Sequence, residues 1–307
     1  VTYLNAKRVF RKGLKKDMET TEQTQDAGWR GMVAKASLAL SLFTVLWFII
    51  AAVGTKLGLW SWQFGLGQMT INWGLKLIFL ALGVSVIAVI LSLIAAPRKR
   101  AFILAFAALL VAGLSFGRVA AFGGEASRLP PIHDVQTDWS NPVMPSEALL
   151  AARKASDASN PVEAAPIVPD TAEERWPGTP GRLVSELQEE AEFDPAVQED
   201  RADAPYPKLD SYVTQAPPEA AFEAILMLVK ERGWKIVTDD RGAGRIEATE
   251  TSFWFDFKDD VMIRILPTDE GGSRIDVRSA SRVGLSDLGA NAKRVRNLLD
   301  DIEIALR

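Results

Sequence analysis

The run RSASRVGLSDLGAN, Arg278 to Asn291, holds Arg278, Arg282, Ser286 and Asp287, residue types that can grip an anion or cap a helix. In the first arrangement, two guanidinium forks, the Ser286 hydroxyl and the N–H groups that open a helix converge on a phosphate, a carboxylate or a lipid headgroup. In the second, the run is only the turn between a strand and a helix. Ser286 or Asp287 then supplies the N-cap, and Arg278 and Arg282 pair with Asp287 or Asp276 to fasten strand to helix. The spacing favours the second arrangement. Neither GxGxxG nor GxxxxGK(S/T) is present, so a nucleotide cradle is unsupported, and Asp287 would repel an anion.

His133 is the single histidine, in PPIHDVQTDW. With Asp134 and Asp138 it could act as a general base or begin a metal site, but no second histidine or thiolate completes a transition-metal set. A hydrogen-bonded ring that anchors an extended segment is the simpler expectation. The candidate ligand-contacting set is therefore Arg278, Arg282, Ser286, Asp287 and His133. No catalytic residue, metal or cofactor is expected: there is no nucleophile elbow, and Asp239, Asp240, Asp259 and Asp260 fall in predicted turns. In SFWFDF, alternation sends Phe253, Phe255 and Phe257 to the core and leaves Trp254 outside, as a contact for a partner or the membrane interface or under cover of the chain.

These residues need elements to hold them. PPEAAFEAILMLVKERG repeats apolar residues at helical spacing and stops at Gly233. Four strands are expected from Trp234, Arg245, Val261 and Ser273, joined by Asp- and Gly-rich turns as an antiparallel meander. Val261, Ile263, Ile265, Ile275 and Val277 form its apolar face, and Arg264, Arg274, Asp276 and Arg278 the other. A last helix with Leu288, Ala292, Val295, Leu299, Ile302 and Leu306 in a stripe covers the apolar face beside the first. The expected unit, residues 208–307, is thus α+β: helix, four-stranded antiparallel sheet, helix.

Upstream, residues 144–207 are rich in Ala, Pro, Glu and Asp and read as an acidic linker, with one helix in GRLVSELQEEAEF. An extended segment, 123–143, precedes it. Residues 33–122 read as a three-helix transmembrane domain. Val33 to Val53, Leu75 to Ala96 and Ala101 to Phe122 can each cross about 30 Å of hydrocarbon. The first span lies too far in and is too long for a cleaved leader, and reads as an uncleaved anchor. Trp47, Trp60, Trp62 and Trp73 suit the interfaces, although Trp47 could equally be a packing residue.

The basic segment 1–32 includes Lys7, Arg8, Arg11 and Lys12, candidate contacts for anionic lipid if Tyr3 to Lys16 forms an amphipathic helix, and otherwise a tail that only sets topology. The turn PRKR, Pro97 to Arg100, adds cations to the same side, whereas the loop Gly54 to Gly74 holds only Lys56. The positive-inside rule then keeps the N-terminus and PRKR cytoplasmic and exports everything after Phe122, in a bacterium to the periplasm. The first 118 residues carry 14 Lys and Arg against four Asp and Glu; the remainder carries 21 against 35. An acidic exported part argues against nucleic acid as a partner. With no cysteine, the unit must hold together by packing alone.

The segments PPIHDVQTD, AFEAILMLVKERGWKIV, GRIEATETS, FKDDVMIRI and GSRIDVRSASRVGLSDLGANAKRV together resemble domain-of-unknown-function family 1499. The resemblance runs from about Pro130 to the C-terminus, interrupted by the acidic stretch, which departs from the compact family pattern. It implies a bacterial envelope protein, often membrane-attached, with no established activity, cofactor or catalytic residue. It also implies that the His133 segment and the Arg278–Asp287 segment share one surface. The expected role is that of a non-enzymatic inner-membrane protein, an accessory or assembly subunit that meets membrane lipids and other membrane subunits or its own copies. A periplasmic module binding a small anion or lipid is the alternative.

Overall fold

The computed structural model describes residues 2–94, 98–193 and 206–307; for residues 2–27, 125 and 193 it describes the backbone alone. Two compact units divide the chain, residues 1–123 and 124–307. In the first unit, helix α1 (Thr2–Lys56) is followed by a π-helical segment (Gln63–Gly74), α2 (Leu75–Ile94) and α3 (Lys99–Ala126). Among the described residues, three helical stretches are long and apolar enough to cross a membrane: Gly28–Lys56, Gln63–Ile94 and Lys99–Gly124.

Lipid tails are as apolar as leucine, so such helices associate through small and hydroxylated residues that permit close approach. Buried Ser37 and Ser41 of α1 meet Ser85 of α2, with Ser37 Oγ donating to Ser85 Oγ at 3.1 Å. Trp47 is a packing residue, since its indole N–H donates to the Met69 carbonyl at 2.8 Å. The candidate lipid contacts Lys7, Arg8, Arg11 and Lys12 lie outside the residues whose side chains are described, as does Pro97 of the PRKR turn.

The second unit is built on an antiparallel sheet of six strands, not four. The expected meander is present as β5 (Lys235–Asp240), β6 (Arg245–Thr251), β7 (Lys258–Pro267) and β8 (Ser273–Ser281). Two short strands, β1 (Asp134–Gln136) and β4 (Tyr212–Thr214), both pair antiparallel with the outer edge of β8. A small parallel pair, β2 (Glu192–Phe193) and β3 (Tyr206–Pro207), lies apart from it. The extra strands escape sequence reading because three residues carry no detectable alternation.

Helices α6 (Pro218–Glu231) and α7 (Ala290–Ala305) cover one face of the sheet. As periodicity requires, Val261, Ile263, Ile265, Ile275 and Val277 pack there against Phe222, Ile225, Val229, Ala292, Val295, Leu299 and Ile302. Leu288 is excluded from this stripe, with a left-handed φ of 54° and its side chain exposed.

The stretch expected as a linker, 144–207, is instead folded over residues 144–193; residues 194–205 lie outside the described residues. Helix α4 (Glu147–Lys154) begins at an N-cap, Ser146, whose hydroxyl accepts from the Leu149 amide. Buried Leu149 packs with Val143, Val162, Met262 and Ala280 on the second face of the sheet. Helix α5 (Val184–Ala191) forms where GRLVSELQEEAEF predicts it, and its Val184, Leu187 and Ala191 join the main core. Composition misleads here because few large apolar residues suffice when the face they cover is itself polar.

SFWFDF is not strand. β6 ends at Thr251, and Ser252 to Phe257 close the β6–β7 hairpin, with the Ser252 amide donating to the Phe257 carbonyl at 2.8 Å. Asp256 takes the left-handed φ of 58° that the turn requires. Phe253 is therefore exposed beside Trp254, their rings 5.0 Å apart and edge to face, instead of pointing into the core.

Candidate functional site

Strand alternation places Arg245, Glu247 and Thr249 of β6, Asp260, Met262 and Arg264 of β7, and Arg274, Asp276, Arg278 and Ala280 of β8 on the face opposite the helices. Arg282 continues that parity one step past β8. Such a face would ordinarily meet water. Here the chain from Asn141 to Glu163 lies across it, and Glu247, Asp260, Asp276 and Arg278 are fully buried.

A covering chain with little ladder of its own has carbonyls to satisfy, and buried ones left unpaired are costly. The sheet's arginines supply the donors. Arg264 donates to the Asn141 carbonyl at 2.6 Å, Arg245 to that of Met144 at 2.5 Å, and Arg278 to those of Val143 and Glu163 at 3.1 and 2.6 Å. In return the Ser146 amide and hydroxyl donate to the Glu247 carboxylate.

Two carboxylates neutralise the deepest guanidiniums. Arg278 grips Asp134 with Nε at 2.9 Å and Nη2 at 2.5 Å, a two-pronged contact, and its guanidinium lies 5.4 Å from the Trp139 ring centroid. Asp260 stands between Arg282 and Arg153 of α4: Arg282 Nη2 reaches Oδ1 at 2.7 Å and Arg153 Nη1 reaches Oδ2 at 2.6 Å. Thr249 Oγ1 donates to Asp260 at 2.7 Å and accepts from Arg282. The remaining Arg282 nitrogen donates to the Ala152 carbonyl and Ser156 hydroxyl.

The expected fastening by arginine–carboxylate pairs is therefore present, with different partners. Arg278 pairs with Asp134 and Arg282 with Asp260, while Asp276 takes Arg264 and Arg274. The two arginines tie the sheet to the covering segment and to one another's neighbours rather than to α7. Asp259 and Asp260 sit inside β7, not in a turn, because Arg294, Arg153 and Arg282 neutralise them. An added anion would have to displace Asp134 or Asp260 from forks that are already filled.

Ser286 and Asp287 hold the turn before α7. Asp287 accepts from the Gly289 and Asn291 amides at 2.9 and 2.7 Å, and Ser286 donates to the Pro130 carbonyl at 3.0 Å. Burial raises the Asp287 carboxyl to about 6, against the pull of those two amides. Across the turn, Asn291 donates to the Ser281 hydroxyl and to the His133 carbonyl, both at 2.9 Å.

The His133 and Arg278–Asp287 segments lie side by side, β1 pairing with β8, but as buried chain and not as an exposed surface. His133 anchors its segment through the backbone, its carbonyl also accepting from the Ser281 amide at 2.8 Å. The ring is buried, and its approach to the Leu285 backbone falls short of full hydrogen-bond geometry. Burial holds its pKa below 6.5, opposed by the Asp134 carboxylate and reinforced by Arg153 and Arg278. Asp134 and Asp138 are occupied by Arg278 and Arg274, and among the described residues no group of three or more His, Asp or Glu could hold a metal.

Arg153, Asp260 and Glu247 were invisible as site residues in the sequence. The available signal was Ser146 followed by EALLAARK, a capped helix inside an otherwise polar stretch.

The fold and this layer define a class: a protein with three potential membrane-spanning helices followed by an antiparallel sheet unit whose polar face is sealed by its own chain. Residues 134–302 match the family model described as "Protein of unknown function (DUF1499)", more than half of the chain. The chain belongs to that family. A search of curated proteins finds no match to it.

Removing one partner of a buried pair leaves the other charge uncompensated, at a cost of about 3–5 kcal/mol. Arg278→Ala will lower stability by that order in urea unfolding of the detergent-solubilised chain. The double variant Arg278→Met, Asp134→Leu will regain part of it, but not all, because the Val143 and Glu163 carbonyls lose their donor. His133 predicts a pH effect of fixed sign. With its folded pKa below the unfolded value of 6.5, the unfolded chain binds the extra proton, so this contribution is complete above pH 6.5 and is lost as pH falls below it. His133→Phe will flatten the decline in urea midpoint between pH 7 and pH 5.

Proposed function

We propose that the chain is a non-enzymatic, multi-pass protein of the bacterial inner membrane, an accessory or assembly subunit whose second unit docks on a partner in the periplasm. One observation carries the docking reading. Between α6 and α7 runs an open groove of about 580 Å³ lined by Leu228, Glu231, Arg232, Asn297, Asp300 and Asp301. Met227 and Ile304, each exposed, stand one helical turn from Glu231 and Asp300. Arg232 is held in place by Asp301 at 2.5 Å and lies over the Trp234 ring at 5.4 Å. The groove itself is mostly charged, so the exposed Met227 and Ile304 beside it would supply the apolar anchors and the groove the polar rim. The placement is supported by the charge asymmetry along the chain, basic before the last span and acidic after it.

Isolation of the full chain in mild detergent will bring down a second membrane protein, or yield a stable homo-oligomer, and Met227→Asp with Ile304→Asp will release it. A lone monomer with nothing associated contradicts the docking reading. A phosphatase fused behind Arg307 will be active in the periplasm; activity confined to a cytosolic reporter at that position contradicts the placement.

A further inference from the structure

Strand register says which end of the sheet the chain enters after α3. Thr249 pairs with Asp260, Asp260 with Ala280, and Ala280 with Asp134, so these four residues form one row across β6, β7, β8 and β1. Pro130 lies four residues before Asp134, and Phe253 lies four residues beyond Thr249, both on the same side of that row. The turn from β8 to α7 is at this end too: the Asp287 amide donates to the Ile132 carbonyl at 3.1 Å.

This end carries an exposed aromatic pair, whereas the exposed aliphatic side chains Val213 and Met144 lie toward the other end. Phe253 is 70% exposed, Trp254 53% and Leu288 38%, all three in turns. The opposite end carries the β5–β6 and β7–β8 turns, where Arg241, Asp269 and Glu270 are exposed. The link from the last span is short. α3 ends at Ala126 and Leu129 is already buried in the core, a reach of about 10 Å when fully extended.

From this register we infer that the Phe253–Trp254 hairpin tip, with Leu288, is a membrane-contact surface that seats in the lipid headgroup region. An indole and a phenyl ring on a rigid tip suit that region, where one side of each ring meets hydrocarbon and the other water. Lys258, which follows the tip in β7, keeps its ammonium partly exposed beside Asp256 and can meet lipid phosphate. The inference rests on the three helices being spans, and it holds whichever side of the membrane the unit occupies and whether or not a protein partner exists.

The chain has no cysteine, so single substitutions label cleanly. Trp254→Cys and Glu270→Cys, each in the full chain and carrying a nitroxide, are reconstituted into phosphatidylethanolamine–phosphatidylglycerol vesicles. Power saturation then reads collision with oxygen against collision with a water-soluble nickel chelate. The label at 254 will be severalfold less accessible to nickel and more accessible to oxygen than the label at 270. Equal, water-like accessibility at both positions overturns the inference. The docking reading is untouched by either result, since these vesicles hold this chain alone.

Discussion

The second unit depends on guanidinium groups that serve as hydrogen-bond donors to main-chain carbonyls. The chain from Asn141 to Glu163 crosses a sheet face without joining the sheet, so its carbonyls have no ladder partners. Arg264, Arg245, Arg278, Arg153 and Arg282 reach up from below or in from α4 to satisfy them. An arginine suits this task because its planar fork offers five donors in fixed directions, enough to hold a carboxylate and two carbonyls at once. A lysine in place of Arg278 would leave part of that set unpaired.

The same choice brings an electrostatic constraint. Around the deepest part of the layer, Arg153, Arg278 and Arg282 face Asp134 and Asp260, three cations against two carboxylates. The neighbouring His133 imidazole has its pKa lowered, chiefly by burial and further by Arg153 and Arg278, against the opposing pull of Asp134. On the other side of the sheet Asn291 and Arg294 tie α7 to Ser279, Ser281, Asp259 and Glu250, so both layers are joined to β8 by polar contacts as well as by packing. Buried ion pairs contribute modest net stability; their effect is to fix one arrangement of chain, since every alternative strands a charge.

What was legible in the sequence follows from periodicity. The three long apolar helices, the four-strand meander, α5, α6 and α7 all announce themselves through apolar repeats, and β8 has the limits that alternation gives it. What escaped lacks a repeat. β1 and β4 are three residues long, and α4 lies in a stretch whose alanines, prolines and acids resemble a tether. The polar face of the sheet was read correctly residue by residue, yet nothing in alternation reveals whether water or chain covers it. SFWFDF shows the converse error: its alternation continues the strand pattern, but Asp256 in a left-handed conformation turns the chain, and two aromatic rings end on the outside. The candidate arginines were found by type and spacing. Their partners lie more than a hundred residues away for Asp134 and on an adjacent strand for Asp260, distances that one sequence does not disclose.

The central claim is that the covering segment is part of the folded unit, held by charge-assisted hydrogen bonds rather than laid loosely over the sheet. Native-state amide hydrogen exchange reads this directly at Val143, Ser146 and Leu149, whose amides donate to Gln136, Glu247 and Ser146 side chains. Protection comparable to that of β7 and β8 in the full chain is the predicted result. Exchange at the rate of an exposed loop, with β7 and β8 still protected, would contradict it.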